Sequence, residues 1–232
     1  MDSKKTSFGR ELLNTVAGNN LINATIDVVE VMLDQNLADG VLKDLPIVGI
    51  LAKLAQAKQS IFEELFLRKL VRFLSALKEV SVEDRAKLIE KYPDFSDEQR
   101  ILGENLLLAL ERLDDIEKPL VLAQFFLACV KGEIDYITFT RLARSLEKFN
   151  MALLPNLRWY YTRNEPAVET PEEIIHELSL AGLVTVGLAG SGVIGGAAGY
   201  SYSSLGKFFL LFGFDIIFDD PSPTTTSTSE KS

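Results

Sequence analysis

The chain has 232 residues, 47% of them hydrophobic and 25% charged, and its formal net charge at pH 7 is -9. These values are ordinary for a globular protein that buries a core in one sizeable domain or two small ones. Because phosphate repels an acidic chain, they argue against general binding of nucleic acid. Cys129 is the only cysteine, which excludes an intrachain disulfide and fits a reducing compartment. We therefore expect a cytoplasmic protein without a signal peptide.

The N-terminal part of the chain has the apolar spacing of α-helices. Residues 1–20 are expected to form an N-terminal arm, and residues 21–37 a first amphipathic helix. A longer helix is expected from Pro46 to Leu77, because apolar residues recur there with a helical period. At 1.5 Å per residue this helix would be about 50 Å long, and it would form the spine of the fold.

Capping residues mark the helices that follow. Their predicted starts are Ser81, Ser96, Pro119 and Ile134. A serine accepts a hydrogen bond from the first turn, and a proline suits that turn because its missing N–H would be unpaired there. The third of these helices is expected to end before Gly132, and the fourth near Leu154.

After one more helix, which Thr170 is expected to cap, the sequence becomes richer in glycine and β-branched residues. Two short β-like runs joined by glycines predict a β-hairpin, and a mainly apolar run then predicts a final helix. The predicted elements are a hairpin of residues 184–186 and 200–202, a helix over residues 205–218 and a disordered tail over residues 219–232.

The sequence contains no recognisable catalytic or metal-binding constellation. His176 is the only histidine, so a Ser-His-Asp or Cys-His arrangement would need it, and its neighbours indicate a partly exposed helix residue. Glu173 and His176 have the Glu-x-x-His spacing of di-iron bundles, but those bundles need two such motifs and two further glutamates. Cys129 lies among apolar residues, which predicts a packed and unreactive thiol. We expect no enzymatic activity, no cofactor and no metal.

Basic residues gather in one part of the chain. Arg141, Arg144 and Lys148 are three and four residues apart, so they share a helix face, and Arg158 and Arg163 follow with three aromatic residues between them. Interleaved basic and aromatic residues can bind nucleic acid through charge and stacking. The acidity of the chain instead favours a solvated face that pairs with the acidic segment after it. These five basic residues are the candidate partner-binding face.

Four runs of sequence resemble an uncharacterised family of mainly helical bacterial proteins. They are Pro-Ile-Val-Gly at 46–49, Phe-Leu-Arg-Lys-Leu-Val-Arg-Phe-Leu at 66–74, Leu-Glu-Arg-Leu-Asp-Asp-Ile-Glu-Lys-Pro at 110–119 and Gly-Glu-Ile-Asp-Tyr-Ile-Thr-Phe at 132–139. The resemblance covers most of residues 40–217. It implies a helical fold, and no established activity comes with it.

The C-terminal third resembles a winged helix. Residues 178–184 look like the end of its recognition helix and the turn into the wing, and residues 200–206 look like the returning strand and the start of the closing helix. The expected recognition helix carries Glu172, Glu173 and Glu177 and no arginine, so few phosphate contacts could form. We therefore expect a protein-contact or structural module, and we do not expect DNA binding.

Residues 178–199 support an alternative. They are long enough to span a bilayer, which takes about 20 residues, and their glycines have the spacing of helix contacts in membranes. A membrane-active effector that inserts this segment is the rival interpretation. Glycine forms helices poorly, however, and the tyrosines that follow fit a strand better than the edge of a bilayer.

The sequence thus predicts a mainly α fold, with a helical bundle followed by a small winged-helix-like α+β C-terminal module. The expected domains are an N-terminal arm (1–20), the bundle (21–133), the winged-helix-like module (134–218) and the tail (219–232). The expected function is that of a non-catalytic regulatory or scaffold protein that binds another protein or a second copy of itself. The alternatives are the membrane-active effector and a weak nucleic-acid binder.

Overall fold

The computed structural model describes residues 8–18, 61–77, 80–85, 97–162, 170–188 and 198–217. In these ranges the chain is mainly helical, with one small antiparallel sheet of two strands. The helices are α1 (Phe8–Ala17), α2 (Ile61–Leu77), α3 (Asp97–Arg112), α4 (Lys118–Lys131), α5 (Tyr136–Lys148), α6 (Leu154–Thr162), α7 (Glu172–Leu180) and α8 (Ser204–Phe214). A 3-10 turn, Met151–Leu153, precedes α6, and the strands β1 (Val184–Leu188) and β2 (Ala198–Tyr202) lie between α7 and α8.

Helix α4 lies at the centre of the core. It is apolar on nearly every side, as expected of a helix surrounded by other elements, and α2, α5 and α8 pack against it. The Phe126 ring contacts Phe73 of α2 and Phe139 of α5 edge-on, with centroids 5.8 Å and 5.9 Å away. The Phe125 ring contacts Phe209 of α8, with the two centroids 5.4 Å apart. These ring contacts join α2, α5 and α8 to α4.

One continuous core includes elements that the sequence assigned to separate domains. The bundle and the C-terminal module, predicted on either side of residue 133, share a single cluster of buried side chains. The expected N-terminal arm also contributes to it, because α1 buries Leu12, Leu13 and Val16 in the same cluster. Helix α1 crosses α3 so closely that a methyl group added at Gly103 would overlap the backbone of Gly9.

The predicted spine helix is described only in its last part. Residues 61–77 form α2, whereas the rest of that helix and the helix predicted over residues 21–37 lie outside the described residues. The cap predicted at Ser81 is confirmed, since its hydroxyl accepts a hydrogen bond from Asp84 N at 3.1 Å and residues 82–85 are helical.

The helix predicted over residues 134–154 is shorter than expected. Asp135 caps α5 by accepting a hydrogen bond from Thr138 N at 2.7 Å, and α5 ends at Lys148. The next residue, Phe149, has extended backbone and is buried against Phe209, with centroids 5.1 Å apart. Burial of that ring ends the helix, and α6, which the sequence pattern did not predict, follows the 3-10 turn.

The C-terminal elements occur in the predicted order, but each strand is two residues longer than expected and the final helix ends at Phe214, not at residue 218. Gly132 ends α4 in the left-handed conformation, with φ 78°. The strands pair with Val184 opposite Tyr202, and the final helix α8 follows them. The predicted cap Thr170 is wrong, because Pro171 occupies the N-cap of α7 and makes no side-chain cap hydrogen bond. Helix α7 ends before β1 begins, so the described part of residues 178–199 is not one helix.

Candidate functional site

The exposed side of α5 is a stripe of three cations beside one apolar residue. Its members are Ile137, Arg141, Arg144 and Lys148, which are all exposed and which we call the α5 stripe. Their spacing of four, three and four residues keeps them on one face. The opposite face buries Phe139, Leu142 and Leu146 in the core. A rotation of α5 about its axis would therefore expose these apolar side chains to water. Ile137 is 68% exposed, which is high for so large an apolar side chain.

The arginines and the lysine of the α5 stripe form no ion pair with any described residue. Arg141 is near enough to Asp135 to contribute to lowering the pKa of that carboxyl, after the larger effect of its hydrogen bonds with Thr138. The expected pairing of the basic face with acidic residues of the same chain is therefore not seen in the described ranges. The stripe presents its charge to solvent.

The two remaining predicted basic residues have different outcomes. Arg158 is exposed on α6, whereas Arg163 lies outside the described residues. Two of the three aromatic residues beside Arg158, Tyr160 and Tyr161, are buried and cannot stack on bases, whereas Trp159 is half-buried. The structure therefore brings three of the five residues together on α5, with Arg158 on a neighbouring element.

Helix α7 exposes a face of opposite charge. Glu172, Glu173, Glu177 and Leu180 are exposed on it, and we call these four residues the α7 face. Leu178 is buried on the inner side of the helix, which holds the acidic side chains outward. His176 is exposed on the same helix, and Leu180 is 63% exposed.

The structure also reveals a cluster of cations that the sequence did not indicate. Lys118, only 1% exposed, donates to the carboxylate of Asp114 and to the carbonyl of Glu147 at the end of α5, at 3.2 Å. Lys69 of α2 donates to the carbonyls of Glu111, at 3.0 Å, and Leu113 at the end of α3. A cation suits a helix C-terminus because the last carbonyls have no partner within the helix.

Burial and neighbouring charge shift the pKa values of Lys69 and Asp114. Desolvation lowers the pKa of Lys69, although Asp114 and Glu111 act in the opposite direction. Desolvation alone would raise the pKa of Asp114, but its hydrogen bond with Lys118 and the positive charge there hold it below the ordinary value. Because these groups bind one another and backbone carbonyls, the cluster is structural, and it connects α2 to the end of α3 and α4 to the end of α5.

A second buried polar cluster holds the base of the hairpin. The Tyr161 hydroxyl donates to the carbonyl of Leu183 and accepts a hydrogen bond from Ser203 N at 2.9 Å. The Ser203 hydroxyl caps α8 by accepting from Gly206 N at 2.8 Å. Burial raises the pKa of Tyr161, which keeps its phenol protonated as a donor. This cluster connects α6 to the residues just before β1 and just after β2, and to the start of α8.

No described group of three or more His, Cys, Asp or Glu residues could hold a metal ion. Cys129 is buried among the apolar side chains of α4, as predicted for a packed thiol. Among the described helices, none is long and apolar enough to cross a membrane.

No protein-family model, curated protein or solved structure matches this chain. The resemblance to an uncharacterised family of helical bacterial proteins therefore stays a prediction.

Proposed function

We propose that this protein acts without catalysis, as a regulatory or scaffold protein that binds an acidic helical partner through the α5 stripe. The observation that carries this proposal is the exposure of Ile137 beside three cations that have no ion-pair partner among the described residues. An amphipathic helix with carboxylates and one apolar side chain has the chemistry that this surface accepts.

Apolar and charged residues would contribute differently to such a contact. An exposed ion pair contributes only about 0–1 kcal/mol, so the three cations mainly select the partner and its orientation. Ile137 would supply the apolar part, since burying a side chain of its size contributes roughly 1.5–3 kcal/mol. The expected contact is of modest affinity and sensitive to salt.

The order of elements in the C-terminal part supports a contact module related to the winged helix. Helices α5, α6 and α7 are followed by the β1–β2 hairpin, which is the order of three helices and a wing. In that comparison α7 would be the recognition helix, yet its exposed side chains Glu172, Glu173 and Glu177 would repel phosphate. A protein partner therefore fits this module better than DNA.

Site-specific photo-crosslinking in cells tests the proposal. A photoreactive amino acid in place of Ile137 should give one discrete adduct, whereas the same group in place of the exposed Gln124 of α4 should not. The double substitution Arg141→Glu and Arg144→Glu should remove the adduct. The matched control Lys131→Glu and Lys207→Glu, which changes charge equally at two exposed sites, should keep it. An adduct that survives reversal of the stripe, or no adduct at all, would overturn the proposal.

A further inference from the structure

We infer that the acidic helix bound by the α5 stripe is the α7 face of a second copy of this chain. The inference rests on the proposed function, because it names the partner of the same surface. Three observations carry it: the opposite charges of the two faces, the matching spacing of their residues, and the exposure of one large apolar residue on each.

The spacing of the two faces matches when the helices run antiparallel. On α5, the step from Ile137 to Arg144 is seven residues, or about 10 Å along the axis at 1.5 Å per residue. On α7, the step from Leu180 back to Glu173 is also seven residues. With Ile137 opposite Leu180, the helices therefore place Arg144 opposite Glu173.

The same antiparallel register also brings the remaining opposite charges near each other. Arg141 lies four residues after Ile137, and Glu177 lies three residues before Leu180. The two side chains are therefore at nearly the same distance along the helix axes from the Ile137–Leu180 contact. Lys148, at the far end of α5, lies towards Glu172 at the start of α7. The reverse, parallel orientation would set Ile137 beside glutamates and Leu180 beside cations, which is unfavourable.

The two faces do not pair with each other within one copy. Among the described residues, no ion pair joins α5 to α7. A contact between the α5 stripe of one copy and the α7 face of the next uses different surfaces on the two partners. Such a contact can form twice, reciprocally, in a two-fold dimer, or once per pair in a ring or an open chain of copies.

Sedimentation velocity with charge-swapped variants tests the inference. The wild-type mass should rise above the 25.7 kDa of one chain with concentration, and it should return to that value at high salt. Arg141→Glu with Arg144→Glu puts acidic groups on both faces, and Glu173→Lys with Glu177→Lys puts basic groups on both, so each variant alone should remain at one-chain mass. An equimolar mixture should assemble again, because each altered face then meets its complement.

The controls separate this inference from the proposed function. Lys131→Glu with Lys207→Glu should assemble like the wild type, and circular dichroism should show that every variant keeps its helical content. Wild-type protein that stays at one-chain mass at all concentrations, or a mixture that fails to assemble, would overturn the inference. If the Ile137 adduct is then lost on reversal of the α5 stripe but not on reversal of Glu173 and Glu177, the proposed function stands with another acidic partner. If that adduct is absent altogether, both proposals fail.

Discussion

At the scale of single residues, the buried ammonium of Lys118 is stabilised by one exposed carboxylate and one helix-end carbonyl. The two members of the ion pair, Lys118 and Asp114, differ in what their removal leaves behind. Without Asp114, the ammonium stays buried without a counter-ion, which is costly. Without Lys118, Asp114 is simply solvated, because its side chain is largely exposed.

We therefore predict an asymmetry between two substitutions. Asp114→Ala should lower the free energy of unfolding by about 3 kcal/mol. Lys118→Met keeps the apolar volume of the lysine stem and should cost only about 1 kcal/mol, from the lost hydrogen bond to the Glu147 carbonyl. Urea denaturation followed by circular dichroism measures both values. Equal losses, or the reverse order, would show that the pair is not held as described.

A second residue-scale prediction concerns the hydroxyl of Tyr161. Tyr161→Phe removes the acceptor for Ser203 N and leaves that buried N–H without it, so stability should fall by roughly 1–3 kcal/mol. Tyr136→Phe is the matched control, since its hydroxyl accepts, within the described part of the chain, only from the exposed side chain of Asn105, at 2.8 Å. It should cost at most about 0.5 kcal/mol. The urea denaturation midpoints of the two variants measure both losses of stability. Similar losses for the two variants would contradict the role given to Tyr161.

At the scale of elements, α1 is held by a close crossing with α3. Gly103→Ala places a methyl group against the backbone of Gly9, which cannot move aside as a side chain can. We expect a loss of about 3 kcal/mol or more and faster hydrogen exchange in α1. Gly132→Ala is the control, because no atom lies near the added methyl group there and only the positive φ opposes it, at about 1–2 kcal/mol. Unchanged exchange in α1 would contradict the crossing.

The elements that the sequence predicted well are those whose ends are decided locally. Gly132 and the glycine-joined β-like runs act through their own backbone preferences, so the end of α4 and the hairpin were predicted. The end of α5 was not, because it depends on the burial of Phe149 against a helix that lies 55 or more residues away. The burial of α1 in the core was likewise not predicted, because it depends on packing against α3.

In the candidate site, too, the sequence predicts features that depend on local spacing and misses those that depend on distant parts of the chain. The shared face of Arg141, Arg144 and Lys148 follows from helical spacing alone, and the structure exposes all three. Ile137 was missed as their neighbour, although its position four residues before Arg141 was a usable signal. The roles of Lys69 and Lys118 were not accessible in this way, because their partners include backbone carbonyls 42 and 29 residues away.

At the scale of the whole molecule, the ring contacts around Phe126 join elements on both sides of the predicted domain boundary. The described residues should therefore unfold together. Fluorescence of Trp159, the only tryptophan, and far-ultraviolet circular dichroism should give coincident urea transitions. Phe126→Ala should move both transitions equally, by about 3–5 kcal/mol. Separate transitions would instead indicate two independent domains.

The central claim is that the α5 stripe of one copy binds the α7 face of another, and zero-length crosslinking tests it most directly. A carbodiimide joins only amines and carboxylates in contact, and Lys148 is the only lysine of the stripe. In a mixture of ¹⁴N- and ¹⁵N-labelled protein, mass spectrometry should find Lys148 joined to Glu172 or Glu173 in mixed-isotope peptide pairs. Intermolecular links that connect Lys148 to other carboxylates, or its absence from all such links, would contradict the account.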